Sequence, residues 1–273
     1  MHRWFSDNPD KARAERFFLL YSPVWIAAVA FVMLSGVMSS WGDGAYMAFA
    51  ALVAAPLLLV PALTWRDAET AQLRPLYERY WFKFNLWIAI YVFAGSYVGT
   101  HYFFDVLGMR YAFPTTWNLD AALVGRDSGD VPLFLYVLTQ CYFVTYHVIL
   151  VVLLRRYRTG SFGQTVLGRA LTPVALLAIA YGVAYGETYF MASEALSDYF
   201  WYLDRERMLS LGSLFYATYF VVSTPLVYGL DERAEQAGEW SLGRVAVSAL
   251  AASMLMFYVL DLWAMVFGPI IEG

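Results

Sequence analysis

Charged residues are scarce in this chain of 273 residues: they make up 15% of it, against roughly 25% in an average soluble domain. Hydrophobic residues make up 60% and aromatic residues 19%, and the mean hydropathy is +0.53. This composition excludes an ordinary soluble domain. The net charge of −4, with basic residues scattered singly, also gives no sign of nucleic-acid binding.

Cysteine, lysine and histidine are rarer still, and each shortage excludes a chemistry. The single cysteine, Cys141, allows no intrachain disulfide. Both lysines, Lys11 and Lys83, lie at or beyond the ends of apolar stretches, which argues against a retinal Schiff base inside a bundle. There is no HExxH, CxxC or glycine-rich phosphate loop. His101 and His147 differ in inferred depth by roughly 14 Å, which argues against a shared haem.

Long apolar stretches fill most of the chain and predict an all-α fold: one transmembrane domain of seven helices. The predicted spans are 17–39, 45–65, 84–107, 131–154, 170–192, 209–230 and 245–267. A polar N-terminal tail, 1–16, precedes the first span and lacks the apolar core of a cleavable signal peptide. Pro56, Pro61 and Pro225 fall inside spans and predict kinks, which membrane helices tolerate.

Loop charges predict the orientation of these spans. Fourteen basic residues fall on the side of the N-terminus, including Arg66, Arg74 and Arg155, and four fall on the opposite side. The positive-inside rule therefore places the N-terminus in the cytoplasm and Gly273 outside.

Three spans that run in the same direction carry an ionisable residue at a similar depth. His101, Glu187 and Asp261 each lie about 7–9 Å to the outer side of the midplane, by the helical rise. Charge is excluded from hydrocarbon, so such groups usually have a function. Tyr216 falls in the same layer, whereas His147 falls on the inner side. The alternative to a functional role is, for each of these residues, that of a core group whose hydrogen bonds are satisfied. For Asp261 a further alternative is an ion pair with an arginine near an outer loop.

Tryptophan and tyrosine cluster at the span ends, as in an interfacial aromatic belt. The run from Tyr199 to Tyr202 differs, because it lies in an outer loop and could cap an entrance from the lipid. Tyr146, Tyr185, Tyr216 and Trp201 are the candidate substrate-binding residues.

Motifs distributed over almost the whole chain carry a family resemblance. In order, they include ERFFLLYSPVW (15–25), RYWFKFNLW (79–87), THYFF (100–104), YAFP (111–114), YHV (146–148), ET (187–188), FYA (215–217), EW (239–240), RVAV (244–247), DLW (261–263) and GPI (268–270). Their order and spacing resemble those of the cycloeucalenol cycloisomerases, the cyclopropylsterol isomerases of plant-type sterol synthesis.

The resemblance implies an isomerisation in which the 9β,19-cyclopropane ring of cycloeucalenol opens to give obtusifoliol, with a new 8,9 double bond. No redox change occurs, so no cofactor is expected, and the implied partners are a cyclopropyl sterol and the lipid bilayer. Alanine-rich helices and the short tail suggest a bacterial member in the inner membrane; a eukaryotic member would lie in the endoplasmic reticulum.

The chemistry needs a buried acid and a base, and a membrane-buried carboxylic acid fits because low dielectric favours its uncharged form. We expect Glu187 to be the general acid and His101 its hydrogen-bond partner or the base. Asp261 and Tyr216 would complete the layer, and His147 is in reserve as base or hydroxyl-binding group. Two alternatives remain open: another sterol isomerase that moves a ring double bond, and a non-catalytic sterol or lipid binder or transporter.

Overall fold

The computed structural model describes residues 2–65, 75–126, 128–233, 235 and 240–270. In chain order its elements are α1 (Pro9–Leu34), α2 (Asp43–Ala54), α3 (Pro56–Thr64), α4 (Tyr80–Ala94), α5 (Thr100–Asp105), β1 (Met109–Tyr111), α6 (Leu133–Thr159), α7 (Val166–Ala170), α8 (Thr172–Met191), β2 (Phe200–Tyr202), α9 (Arg205–Arg207), α10 (Ser213–Tyr228) and α11 (Leu242–Phe267). Arg66, Arg74, Glu239 and Gly273, which entered the orientation and the family motifs, lie outside the described residues.

The all-α class is confirmed, and five helical stretches of the described chain are long and apolar enough to span a membrane. They are α1, α6, α8, Arg205–Tyr228 and α11, and the bent pair α2–α3 adds a sixth if it counts as one span. The break at Pro56, with a bend of 41°, confirms the kink predicted there. The chain is therefore a multi-pass membrane protein.

The third predicted span, 84–107, is not among these stretches, so seven spans are not confirmed. A π-helical turn, Gly95–Gly99, separates α4 from α5. Tyrosine, tryptophan and glycine are frequent in this part of the chain, and they lower its hydropathy without changing its helical path.

Helix ends follow local capping chemistry, which moves some boundaries away from the predictions. The side chain of Asn8 accepts a hydrogen bond from the backbone N–H of Asp10, and Pro9 occupies the first turn. Helix α1 therefore begins inside the predicted tail. At the other end of the chain, Ser241 caps α11 and Gly268, with φ of 66°, follows its last turn.

Helix α6 lies at the centre of the bundle and packs against α1, α2, α4, α8 and α10. In its most apolar window 61% of residues are buried, against 22% for α8. The peripheral helices present large apolar side chains outward, among them Leu20, Phe190 and Met265. A hydrocarbon surrounding accounts for such exposure, because it removes the penalty that water imposes.

A network of ion pairs ties together the ends of the helices on the side of the N-terminus. The guanidinium of Arg155 on α6 binds Glu15 on α1 and Glu232 after α10, each through two hydrogen bonds of 2.6–3.0 Å. Lys11 adds an ion pair of 2.9 Å to Glu232. Burial alone would raise the pKa of Glu232, but hydrogen bonds and charge from Arg155 and Lys11 lower it.

Two further ion pairs extend the network to α4. Arg79 binds Asp10 at 2.6 Å, and Lys83 binds Asp231 at 2.7 Å. Both basic side chains are almost fully buried. The ends of α1, α4, α6 and α10 on the side of the N-terminus are therefore held by paired charges.

Replacing Arg155 with leucine should be strongly destabilising, because Glu15 would remain buried without a counter-charge. We expect a loss of about 3–5 kcal/mol in the free energy of unfolding, measured by denaturant unfolding in detergent. Arg156→Leu is the matched control, because Arg156 stacks on Trp4 and forms no ion pair with the described residues. Equal losses in the two variants would contradict a structural role for the network.

Candidate active site

A cavity lies between α1, α2, α4, α6, α8 and α10, beneath the two short strands. It encloses about 1110 Å³ of empty space, including the part that is open to the outside. Concave, mostly apolar spaces are where small-molecule sites usually lie. Most of its lining is apolar or aromatic, contributed by side chains such as Val29, Met33, Phe49, Leu138, Phe143 and Met191.

The strands β1 and β2 close one end of this cavity. They pair antiparallel, with Met109 opposite Tyr202 and Tyr111 opposite Phe200, and all four of these side chains line the cavity. Side chains alternate between the two faces of a strand. Phe200 and Tyr202, in the run from Tyr199 to Tyr202, thus face the cavity.

Trp201 does not line the cavity, contrary to the prediction that it binds substrate. It sits opposite Arg110 in the strand pair, on the face that alternates with the cavity-lining residues. The physical reason is the two-residue period of the strand, which gives the cavity to Phe200 and Tyr202.

Glu187 on α8 lines the cavity and is the only ionisable residue other than tyrosine among the described residues that do so. Tyr146 on α6 and Tyr216 on α10 lie beside its carboxyl and interact with it electrostatically. Its Oε2 atom is enclosed and has no hydrogen-bond partner among the described residues. No described lysine, arginine or histidine forms a salt bridge with it. The site therefore holds a carboxyl group without a counter-charge.

Tyrosines surround this carboxyl. Tyr111, Tyr142 and Tyr202 lie within electrostatic range of Glu187, in addition to Tyr146 and Tyr216. Tyr146 and Tyr216 were predicted from the sequence as substrate-binding residues, whereas the other three were not. The spacing of Tyr142 and Tyr146, four residues apart on one helical face, was an available signal for Tyr142.

An aromatic cluster forms the wall beside Glu187. The ring of Phe103 lies 5.1 Å from that of Tyr216 and 5.6 Å from that of Tyr219, and the two tyrosine rings are 5.5 Å apart. A side chain at Gly99 would overlap the Tyr219 hydroxyl. The glycine in the π-helical turn thus allows α10 to bring Tyr219 against the wall.

His101 is not in the cavity, so the shared layer of His101, Glu187 and Asp261 is wrong as a geometric prediction. His101 is fully buried beneath the loop that follows β1, where its Nε2 accepts a hydrogen bond of 3.3 Å from the backbone N–H of Ala121. Its Nδ1 has no partner among the described residues. The position of a residue along a helix axis does not fix which way its side chain points.

Asp261 and Tyr185 lie on the outer surface of the bundle. Asp261 is exposed on α11 and accepts a hydrogen bond of 3.1 Å from the Tyr102 hydroxyl. Tyr185 is 38% exposed, in a row with Tyr181 and Tyr189 on the outer face of α8. Neither lines the cavity: Tyr185 projects from the side of α8 opposite Glu187, and no described residue of α11 lines it.

His147 has both ring nitrogens occupied and does not line the cavity. One binds the carbonyl oxygen of Phe143 and the other the hydroxyl of Ser223, each at 2.8 Å. The rings of Trp87 and Tyr91 pack against it. This is the arrangement of a satisfied core histidine.

The fold and the cavity define a multi-pass helical membrane protein with an apolar, aromatic pocket around one carboxylic acid. The sequence is 36% identical over 271 residues, 98% of this chain and 90% of the relative, to cycloeucalenol cycloisomerase from Arabidopsis thaliana. No family model and no solved structure matches. The chain belongs to the cycloeucalenol cycloisomerase family, which confirms the resemblance seen in the motifs.

Proposed function

We propose that this protein opens the 9β,19-cyclopropane ring of a cyclopropyl sterol, converting cycloeucalenol to obtusifoliol, with Glu187 as the proton donor. The observation that carries the proposal is the position of Glu187, an acid without a counter-charge in an apolar cavity. The isomerase relative, similar over nearly the whole chain, supports the same reaction.

The reaction balances without a cofactor. A proton from the Glu187 carboxyl adds to C19 while the electron pair of the C9–C19 bond forms the new C–H bond. C19 becomes a methyl group and a cation remains at C9. Loss of the proton from C8 then forms the 8,9 double bond, so one proton enters and one leaves.

The cavity suits the difficult step, which is protonation of a very weak base. Apolar walls and the strand cap limit the access of water, and the acid is held against the bound sterol. The faces of Phe103, Tyr216 and Tyr219 can stabilise the cation at C9, as aromatic rings stabilise other cations.

The base follows from the same geometry. The side chains of His101 and His147 do not line the cavity, so we propose neither of them as the base. The carboxylate that Glu187 becomes after the first step lies beside the cation it has created. We propose that Glu187 also removes the C8 proton, directly or through the hydroxyl of Tyr146 or Tyr216.

Incubation of the purified protein with cycloeucalenol in heavy water, without added cofactor, tests the reaction. We expect obtusifoliol with at most one deuterium in the C19 methyl group of each molecule, measured by mass spectrometry and NMR. With C8-deuterated substrate in ordinary water, part of the label should appear at C19 of product, because one carboxyl carries it to the next sterol molecule.

The outcomes separate the alternatives. Product whose C19 carries neither solvent deuterium nor hydrogen from C8 would contradict proton-initiated opening. Conversion of non-cyclopropyl sterols alone would indicate a double-bond isomerase. Binding of the sterol without any turnover would indicate a binder or transporter.

Replacing Glu187 with glutamine keeps the shape of the side chain and removes its acidic proton. We expect turnover to fall by about 10²–10⁴, the usual scale for general acid catalysis, with little change in sterol binding. Glu194→Gln is the matched control, because Glu194 is exposed just after α8. Turnover near that of the unmodified protein in Glu187→Gln would assign the proton to another group.

We propose that the chain crosses the membrane seven times with a cytoplasmic N-terminus, in the bacterial inner membrane or the endoplasmic reticulum. The loop charges support this orientation, and the broken stretch from Tyr80 to Asp105 supplies the seventh crossing.

Single cysteines introduced at two exposed serines, with the buried Cys141 replaced, test this topology. An impermeant maleimide added outside should label Ser197→Cys and not Ser161→Cys, and the reverse pattern would invert the topology.

A further inference from the structure

Two hydroxyl groups in the cavity lack the partner that such groups normally have in a helix. A serine or threonine inside a helix usually donates to the carbonyl four residues earlier. Ser22 and Ser253 do so, at 2.7 and 2.9 Å. Ser96 and Thr139 line the cavity, and neither hydroxyl forms a hydrogen bond with the described residues.

The other small hydroxyls of the cavity lining are in different situations. Thr100 donates to the carbonyl of Gly95 at 3.4 Å. The hydroxyl oxygen of Thr188 is enclosed by protein, so a ligand in the cavity does not reach it. Those of Ser96 and Thr139 are not enclosed in this way. An unpaired hydroxyl facing an apolar space is unfavourable, so both groups are available to a ligand.

Along α6, Thr139 lies apart from the residue beside Glu187. Thr139 is seven residues from Tyr146, so it projects from the same face of α6, about 10 Å farther along the axis. Tyr146 lies beside Glu187. Ser96 lies in the π-helical turn after α4, and such turns are frequent at functional sites. The cavity lining thus holds one carboxyl and two neutral hydroxyls, of which that of Thr139 lies farther along α6.

We propose that Ser96 and Thr139 bind the hydroxyl group on the first ring of the sterol and so place the cyclopropane against Glu187. This inference rests on the proposed function, and it adds a requirement for a free 3-hydroxyl. An alcohol both donates and accepts hydrogen bonds, which matches two side-chain hydroxyls. Three lengths lie between the hydroxyl site and the acid: a hydrogen bond of about 3 Å to the sterol oxygen, the distance across two fused rings, and the contact with the acid. Together they roughly equal the separation of Thr139 from Tyr146 along α6.

The test compares cycloeucalenol with its 3-deoxy analogue. In the unmodified protein we expect tighter binding and a higher kcat/KM for the hydroxysterol. Thr139→Val and Ser96→Ala should each lower its affinity roughly three- to tenfold, the scale of one hydrogen bond. Their effect on the 3-deoxy analogue should be small, so that the preference is reduced in each variant and lost in the double variant.

Two further variants keep the result interpretable. Thr139→Ser retains the hydroxyl and should restore the preference, which distinguishes lost hydrogen bonding from damaged packing. Thr218→Val is the matched control, because Thr218 is buried on α10, donates to the carbonyl of Phe215 at 2.6 Å and does not line the cavity. This substitution should leave the affinity for both sterols unchanged.

Equilibrium binding of radiolabelled sterol separates this inference from the proposed reaction. If the unmodified protein binds cycloeucalenol with the expected preference but never converts it, the reaction is wrong and the hydroxyl site stands. If the protein converts cycloeucalenol and the double variant keeps its preference for the hydroxysterol, the reaction stands and the hydroxyl site is overturned.

Discussion

A hydrocarbon surrounding excludes an unpaired charge, and this constraint divides the ionisable groups of the bundle into two sets. At the helix ends on the side of the N-terminus, basic and acidic side chains pair with one another, as Arg155 does with Glu15 and Glu232. Within the cavity, Glu187 has no such partner. The first set holds α1, α4, α6 and α10 together, and the second provides an acid whose proton is not already committed to an ion pair.

The central position of α6 connects the two sets. Its C-terminal end carries Arg155, its middle carries the satisfied His147, and its N-terminal half contributes Thr139, Tyr142 and part of the cavity wall. Because five other helices pack on α6, the ion network at one end and the cavity wall at the other belong to one packed helix.

Aromatic side chains give the cavity its shape and its chemistry together. Tyr216 packs on Phe103 and Tyr219 and also approaches Glu187, so one residue supports the wall and contacts the acid. A cation formed beside these rings would face π-electron density, while the neutral sterol would face an apolar surface. The same wall therefore suits substrate and intermediate.

The candidate site was predicted in part. Glu187 stood out because a carboxyl within a long apolar stretch is rare, and Tyr146 and Tyr216 do lie beside it. His101 and Asp261 were predicted at a similar depth but do not line its cavity, because the sequence gives position along a helix and not the rotation of that helix against its neighbours. His147 could not be separated from an active base until its contacts with Phe143 and Ser223 were known.

The sequence by itself determined that the protein is helical and membrane-embedded, and its motifs indicated the family, because span length, charge scarcity and ordered motifs are properties of the chain alone. Only the tertiary structure decided which polar groups meet. The pairing of β1 with β2 and the contacts of α6 arise from residues far apart in the chain. Their arrangement decides that Glu187 faces an apolar cavity while His101 supports a loop and Asp261 faces outward.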